Sequence, residues 1–338
     1  MGEKVLVLHT GGTIGMVESP DGHTTVAGTF AAHLEQVVEG AAGELPAVDL
    51  LELDPLIDSS NATPQTWREI AATIFERRES YIGFVVLHGT DTMAYTSSAL
   101  SFMLPAFGKP VVVTGSQIPV VRARSDGRQN LVGALQVAAG GEVPEVSLLF
   151  GDVVLRGNRA TKVDASGLDA FESPRCPPLA TIGVGIEVNA GLVRRPDGEP
   201  RLLGAEPGRV AAVRLFPGFS ACTIASLCSA PLRGLVIEAY GAGNGPSQDR
   251  EFLRAIEAAT ADGVVVVVVT QCLRGSVQPG AYATGSALIR AGAVPGADLT
   301  TEAALTKLAV VCGQEEDSSA VRELMQRDLA GEMTVAAP

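Results

Sequence analysis

"VLVLHTGGTIGM", residues 5–16, runs from alternating valine and leucine straight into two glycines, a threonine and a third glycine. An apolar run bounded in this way reads as a buried strand ending in a tight turn. Such a turn has three uses: to cradle a phosphate, to lead plainly into a helix, or to seat a nucleophile. A phosphate loop needs G-x-G-x-x-G or G-x-x-x-x-G-K-[ST], and TGGTIG has neither spacing. Glycine supplies backbone freedom for a plain turn without any chemistry. Thr13 therefore acquires a chemical reading only from its surroundings.

The same pattern recurs along the chain as FVVLHGTDT (84–92), PVVVTGSQ (110–117), VSLLFGD (146–152), GLVIEAYGAGN (234–244) and GVVVVVVTQC (263–272). Helix-like stretches lie between, including TPQTWREIAATIFERRES from Thr63, with proline in the first turn, and TSSALSFML after Tyr95. This alternation predicts an α/β protein with a doubly wound sheet, whose ligands sit beyond the carboxyl ends of the strands. The composition agrees: 46% of residues are hydrophobic but only 4% aromatic, so the core is built from Val, Leu, Ile and Ala.

A chain of 338 residues predicts two domains. From Val188 to Arg209 the sequence turns to VNAGLVRRPDGEPRLLGAEPGR, rich in Gly, Pro and charge. The expectation is a larger N-terminal doubly wound sheet domain over 1–190, a linker over 191–209 and a smaller C-terminal α/β domain over 210–338.

The net charge of −13 repels polyanions, and no local Lys/Arg cluster offsets it, so neither nucleic acid nor an anionic membrane is an expected partner. The five cysteines, at 176, 222, 228, 272 and 312, are odd in number and form no CxxC pair, which signals neither a disulfide framework nor a zinc cluster. MGEKVLVLHT lacks a signal-peptide pattern, so the expected location is the cytoplasm. The valine run at 263–272 is too short for a membrane span and too β-branched for a helix, and reads as a buried strand.

Several post-strand loops gather reactive side chains. HGTDT supplies Thr90 and Asp91, and DSSN supplies Asp58, Ser59, Ser60 and Asn61. Taken singly, Asp91 or Thr92 is an ordinary helix cap. LRGNRATKVDASGLDAF (155–171) carries Lys162, one of only four lysines in the chain, in a loop rich in glycine and asparagine. Such a lysine is either solvated or catalytic. The set suits acyl transfer: a threonine hydroxyl becomes nucleophilic when a base takes its proton, and a lysine oriented by an aspartate can do so. The four histidines, at 9, 23, 33 and 88, form no HExxH pattern, and the acidic residues suggest no metal cage, so no metal or other cofactor is expected.

TGGTIG, HGTDT, DSS-x-x-TP, TGSQIP, RGNRATK and YATG, in this order apart from the placing of DSS before HGTDT, resemble the bacterial L-asparaginase/glutaminase family, specifically its cytoplasmic type I branch. The likeness runs from the first strand to LTTEAALTKL (299–308). It implies two α/β domains and hydrolysis of L-asparagine to L-aspartate and ammonia, with weaker glutaminase activity a further expectation. Asparagine and glutamine differ by one methylene, which hydrophobic fit separates by only about 1–3 kcal/mol.

By resemblance, Thr13 is the attacking threonine that forms an acyl-enzyme, and Thr90, Asp91 and Lys162 form a second group that handles proton transfer. Ser59 holds the substrate α-carboxylate, Ser60 contributes backbone contacts, Asp91 also meets the α-amino group, and the Ser116 carbonyl meets the side-chain amide. Asn244 corresponds to a residue lent by a neighbouring subunit, which implies a homodimer or homotetramer.

Two departures from the family pattern stand out. The lid after TGGTIG normally carries a tyrosine, and MVESPDGHTT places His23 there, which implies a histidine lid contact with an activity limb near pH 6.5. Some type I members bind a second asparagine as activator; Thr161 and Cys272 match that pattern, but Glu238 stands where an arginine would clamp the carboxylate. The expectation is that this activation is absent or altered. Two other readings remain: the ammonia-releasing amidotransferase subunit, disfavoured by the acidic chain and by a TGGTIG only ten residues in, and a catalytically silent amino-acid sensor, for which Thr13 and Lys162 would be superfluous.

Overall fold

Strand β1 (Lys4–Gly11) carries the opening motif in a computed structural model that describes residues 4–19, 22–41, 43–195, 197–203, 209–229, 231–278 and 283–334. The chain divides into two units, Met1–Gly204 and Ala205–Pro338. In the first, β1 is followed by a hairpin of β2 (Met16–Ser19) and β3 (Gly22–Thr25), then α1 (Phe30–Gly40), β4 (Ala47–Ile57) and α2 (Pro64–Glu76). Next come β5 (Gly83–Leu87), α3 (Met93–Met103), β6 (Val111–Thr114), α4 (Gly127–Gly140), β7 (Val146–Phe150) and β8 (Val153–Arg156). Short strands close the unit: β9 (Thr161–Lys162), β10 (Phe171–Glu172), β11 (Ala180–Ile182) and β12 (Ile186–Val188).

Eight of these strands form one sheet in the order β12-β11-β8-β7-β6-β5-β1-β4. The five from β4 to β7 are parallel, while β8, β11 and β12 extend the sheet antiparallel, an ending the βα rhythm did not announce. Because β1 lies between β4 and β5, the order reverses beside it, which opens a crevice at the carboxyl ends of β1 and β5. Valine and leucine on both faces of β1 follow from cover on both sides: Val5 and Val7 are buried with Phe30 and Leu34 of α1 and Leu131 of α4, and Leu6 and Leu8 alternate to the other face. Helix α2 begins, as Thr63-Pro64 predicts, with Thr63 N donating to Thr66 Oγ1 at 3.2 Å.

Residues beyond β12 run along this first unit. Leu192 O accepts from Arg156, whose guanidinium is buried against Glu145 at 2.7 Å, and Leu203 N donates to Met103 O at 2.8 Å.

The second unit has four parallel strands, β13 (Val210–Arg214), β14 (Gly234–Ala239), β15 (Val265–Thr270) and β16 (Val294–Pro295), in that order. Its helices are α5 (Ala221–Leu227), α6 (Arg250–Ala261), α7 (Ala283–Arg290), α8 (Thr301–Gln314) and α9 (Ser318–Met325). The valine run is the central strand β15. Val266 and Val268 share a core with Phe252 and Ile256 of α6, and Val265, Val267 and Val269 share another with Leu308 of α8 and Val321 of α9. A continuous apolar run is what burial on both faces requires. Among the described residues no helix is long and apolar enough to cross a membrane.

Candidate active site

Four loops meet at the carboxyl ends of β1, β4, β5 and β6. After β1 the chain turns at Gly11 and Gly12, with φ of 120° and 88°, into a 3-10 turn over Thr13–Gly15. A Cβ at Gly12 would lie 2.4 Å from Gly89 N, and one at Gly89 would lie 2.4 Å from Ser59 Oγ. The loops carrying Thr13, Thr90 and Ser59 therefore touch through atoms that admit no side chain between them. Ile14 O accepts from Val120 N at 3.1 Å, which joins the TGSQIP loop to the same turn. Thr13 itself is half-buried.

Lys162, delivered by the β9–β10 pair, donates from Nζ to Asp91 Oδ1 at 2.8 Å and to Thr90 Oγ1 at 2.9 Å. The Thr90 hydroxyl in turn donates to Gln117 Oε1 at 3.0 Å, and Gln117 Nε2 donates to Gly167 O at 3.1 Å. A hydroxyl has one donor and two lone pairs. With Lys162 donating and Gln117 accepting, the Thr90 oxygen keeps one lone pair for a further hydrogen-bond donor. Asp91 leaves 65% of its side chain exposed, so one carboxylate carries the lysine bond and still faces solvent for a cationic ligand.

The acid loop is ordered locally. Asp58 Oδ1 accepts from both Ser60 N at 2.9 Å and Ser60 Oγ at 2.8 Å, and Thr92 Oγ1 donates to Ser59 O at 2.7 Å. Ser59 is 4% exposed, and its hydroxyl side faces Gly89. Ser116 is buried, with Oγ donating to Ile118 O at 2.7 Å, while Asp126 holds the backbone of Gln117 and Ile118 at 3.0 Å each. Beneath them His88 is fully buried. Its Nδ1 bonds Gly89 O at 2.8 Å and its Nε2 bonds Thr96 Oγ1 at 2.9 Å, and burial pushes the imidazole pKa below its ordinary value.

Of the residues singled out from sequence, Thr13, Ser59, Ser60, Thr90, Asp91, Ser116 and Lys162 thus lie on this loop cluster, and Thr161 precedes Lys162 in β9. The backbone of His23 pairs with Glu18 in the β2–β3 hairpin; its side chain lies outside the described residues, as does Tyr282 of YATG. Asn244, Glu238 and Cys272 belong to the second unit. Asn244 closes a turn on Tyr240, with N to O distances of 2.7 and 2.9 Å. Glu238 is the register partner of Arg214 on β13, at 3.4 Å to its guanidinium, and Cys272 N donates to Thr270 Oγ1 at 3.1 Å. Gln117 escaped the sequence reading although it stands inside TGSQIP; its only signal was an amide beside Ser116 in a post-strand loop, which only the fold connects to Thr90. Among the described residues no group of three or more His, Cys, Asp or Glu side chains is placed to hold a metal ion.

The arrangement is hydroxyl and amine chemistry on a sheet crevice, and the comparisons with known proteins give it a family. Residues 4–194 match the asparaginase N-terminal family model. Residues 209–325 match the glutaminase/asparaginase C-terminal domain model. The chain belongs to the asparaginase family. It is 45% identical over 333 residues to L-asparaginase 1 of Escherichia coli (strain K12), covering 98% of each chain. It is 42% identical to the 60 kDa lysophospholipase of Mus musculus, covering 99% of this chain and 63% of that longer protein. The crystal structure of L-asparaginase I from Vibrio cholerae matches with a TM-score of 0.90 and 40% identity, over 99% of this chain and 100% of that one.

Proposed function

We propose that the first unit hydrolyses L-asparagine to L-aspartate and ammonia through a covalent intermediate on Thr13. The observation that carries the mechanism is Lys162 Nζ bonded at once to Asp91 and Thr90. Ser59 and Asp91 receive the α-carboxylate and α-amino group, with the Ser60 backbone adding contacts and the Ser116 carbonyl accepting from the side-chain amide. The Thr13 hydroxyl oxygen adds to the amide carbon, its proton goes to the departing nitrogen, and ammonia leaves an ester. Water then attacks the ester and restores Thr13. The Thr90–Lys162–Asp91 group moves the protons, an assignment supported by the amine of Lys162 bridging the Thr90 hydroxyl and the Asp91 carboxylate. No metal and no cofactor enters these steps.

Further parts of the reading concern the rest of the chain. Residues 1–190 act as the catalytic domain, 191–209 as the connection and 210–338 as the smaller domain. Asn244 is lent to the site of a neighbouring copy in a homodimer or homotetramer that works in the cytoplasm. His23 takes the place of the lid tyrosine. Glu238 stands where an arginine would clamp the carboxylate of an activating asparagine, so such activation is absent or altered; a sigmoidal saturation curve abolished by Thr161→Ala would contradict this.

Ammonia release is measured with asparagine, glutamine and a lysophospholipid control for fatty-acid release. Asparagine is expected to turn over fastest, and Thr13→Ala to remove ester formation with at least about a 10³-fold loss of kcat. A wild-type protein inactive on asparagine, or Thr13→Ala with wild-type turnover, sinks the reading.

A further inference from the structure

Directly beneath the Thr13 turn lies a histidine that the proposed mechanism does not use. His9 is fully buried near the end of β1, and its register partner on β4 is Glu52. Their side chains meet, with Nδ1 at 3.2 Å from Glu52 Oε1. A carboxylate only accepts, so Nδ1 carries the proton and donates. Burial holds the imidazole pKa below its ordinary value, consistent with a neutral ring in that tautomer.

Register between the two strands breaks immediately afterwards. The next partners are Gly11 and Ile57, so β1 advances from 9 to 11 while β4 advances from 52 to 57. The His9–Glu52 bond is thus the last in-register tie between these strands before β1 departs for Thr13.

The same pair reaches both roots of the β2–β3 hairpin. At the outgoing root, a Cβ on Gly15 would lie 2.6 Å from His9 Nε2, so the 3-10 turn that begins at Thr13 rests directly on the imidazole. At the returning root, Gly28 N donates to Glu52 Oε2 at 2.7 Å, and the ring of Phe30 packs on His9 with centroids 4.9 Å apart. One carboxylate therefore holds the imidazole with one oxygen and the returning chain with the other.

We infer that Glu52 and His9 are positioning residues for Thr13: the pair fixes the height and angle of the Thr13–Gly15 turn by holding the floor under it and the far root of its hairpin in one unit. This rests on the reading of Thr13 as nucleophile. The bonds, ring contact and close approach described for the pair go to Gly28, Phe30 and Gly15 rather than to Ser59 or Asp91, so disturbing it is expected to displace the attacking oxygen while leaving the contacts of Ser59 and Asp91 in place. Misplacement of a reacting atom by about 1 Å costs on the order of a hundredfold in rate.

Two replacements separate positioning from packing. His9→Phe keeps a ring against Phe30 but removes the donor to Glu52. His9→Asn leaves a larger gap but retains an N–H near the Nδ1 position. Positioning predicts that His9→Phe loses about ten- to a hundredfold in kcat with KM for asparagine within about twofold, and that His9→Asn keeps the higher kcat of the two despite a lower thermal midpoint. A merely structural role predicts the opposite order, with kcat following thermal stability. Wild-type kcat in His9→Phe, or His9→Asn falling below it, overturns the proposal. Thr13→Ala made in parallel separates the two ideas. Retained turnover there removes the nucleophile reading and this proposal with it, whereas lost turnover there beside an unimpaired His9→Phe removes the positioning proposal alone.

Discussion

Lys162 and Lys307 both hold a carboxylate, at 2.8 Å to Asp91 and 2.6 Å to Glu332, in very different surroundings. The Lys162 pair is open, with side chains 20% and 65% exposed, and its second bond goes to a hydroxyl. The Lys307 pair is sealed at 0% on both sides. There Lys307 also donates to Met325 O and Arg327 O, and Glu332 accepts from the backbone N–H groups of Leu329 and Ala330. One pair leaves room for a ligand to compete for its carboxylate, while the other spends every bond on tying the C-terminal segment to α8. Solvent access and the nature of the second partner, rather than the ion pair as such, separate a group available for chemistry from one that only holds the chain.

Breaking one side of the sealed pair should produce the largest effect. Lys307→Met leaves Glu332 buried without its counter-charge and should cost ~3–5 kcal/mol of unfolding free energy in urea, with turnover per folded molecule unchanged. Lys307→Met combined with Glu332→Leu removes both charges and should recover most of that loss; a double variant as unstable as the single would contradict the desolvation account. The open pair should show the mirror image. Lys162→Met is expected to lower kcat about 10²- to 10³-fold while moving stability by less than about 1 kcal/mol, since a partly exposed ion pair contributes little. A large stability loss there would make Lys162 structural.

Between these lies Gly12→Ala. At φ 88°, with a Cβ 2.4 Å from Gly89 N, it should destabilise by about 1–3 kcal/mol and lower kcat, because the added methyl parts the Thr13 and Thr90 loops. Equal stability and turnover would show that the loops are not in the contact described.

The smallest effect is titration. Burial lowers the pKa of both His9 and His88 below the ordinary 6.5. The unfolded chain then takes up protons that the folded one refuses. The associated stability is complete above about pH 6.5 and is lost as pH falls below it, each histidine contributing at most about 1.4 kcal/mol per pH unit. Urea unfolding at pH 7.5 and 5.5 measures the slope, and His88→Gln should remove its share; a flat wild-type profile would contradict the assignment.

Much of this was legible from sequence where local pattern and tertiary role coincide. VLVLHT and the valine run had to be buried strands, Thr63-Pro64 had to start a helix, and the loops holding Thr13, Ser59, Thr90 and Lys162 had to follow strands. What could not be read depends on partners distant in the chain. Gln117 looks like any loop amide until the fold brings it to Thr90 from 27 residues away. Lys307 and Glu332 look like surface charges, because no local signal marks a charge that will be buried with its counter-ion. His9 and Glu52 sit in strands whose apolar neighbours explain the strands without them.

The stacking of Gly12 on Gly89 and of Gly89 on Ser59 also bears on how this site can change over generations. With backbone against backbone at Gly12, backbone against the Ser59 side chain at Gly89, and no room for a methyl at either, a substitution in the floor is felt by three loops together. Variation in substrate choice must therefore enter from side chains around that floor rather than from the floor itself.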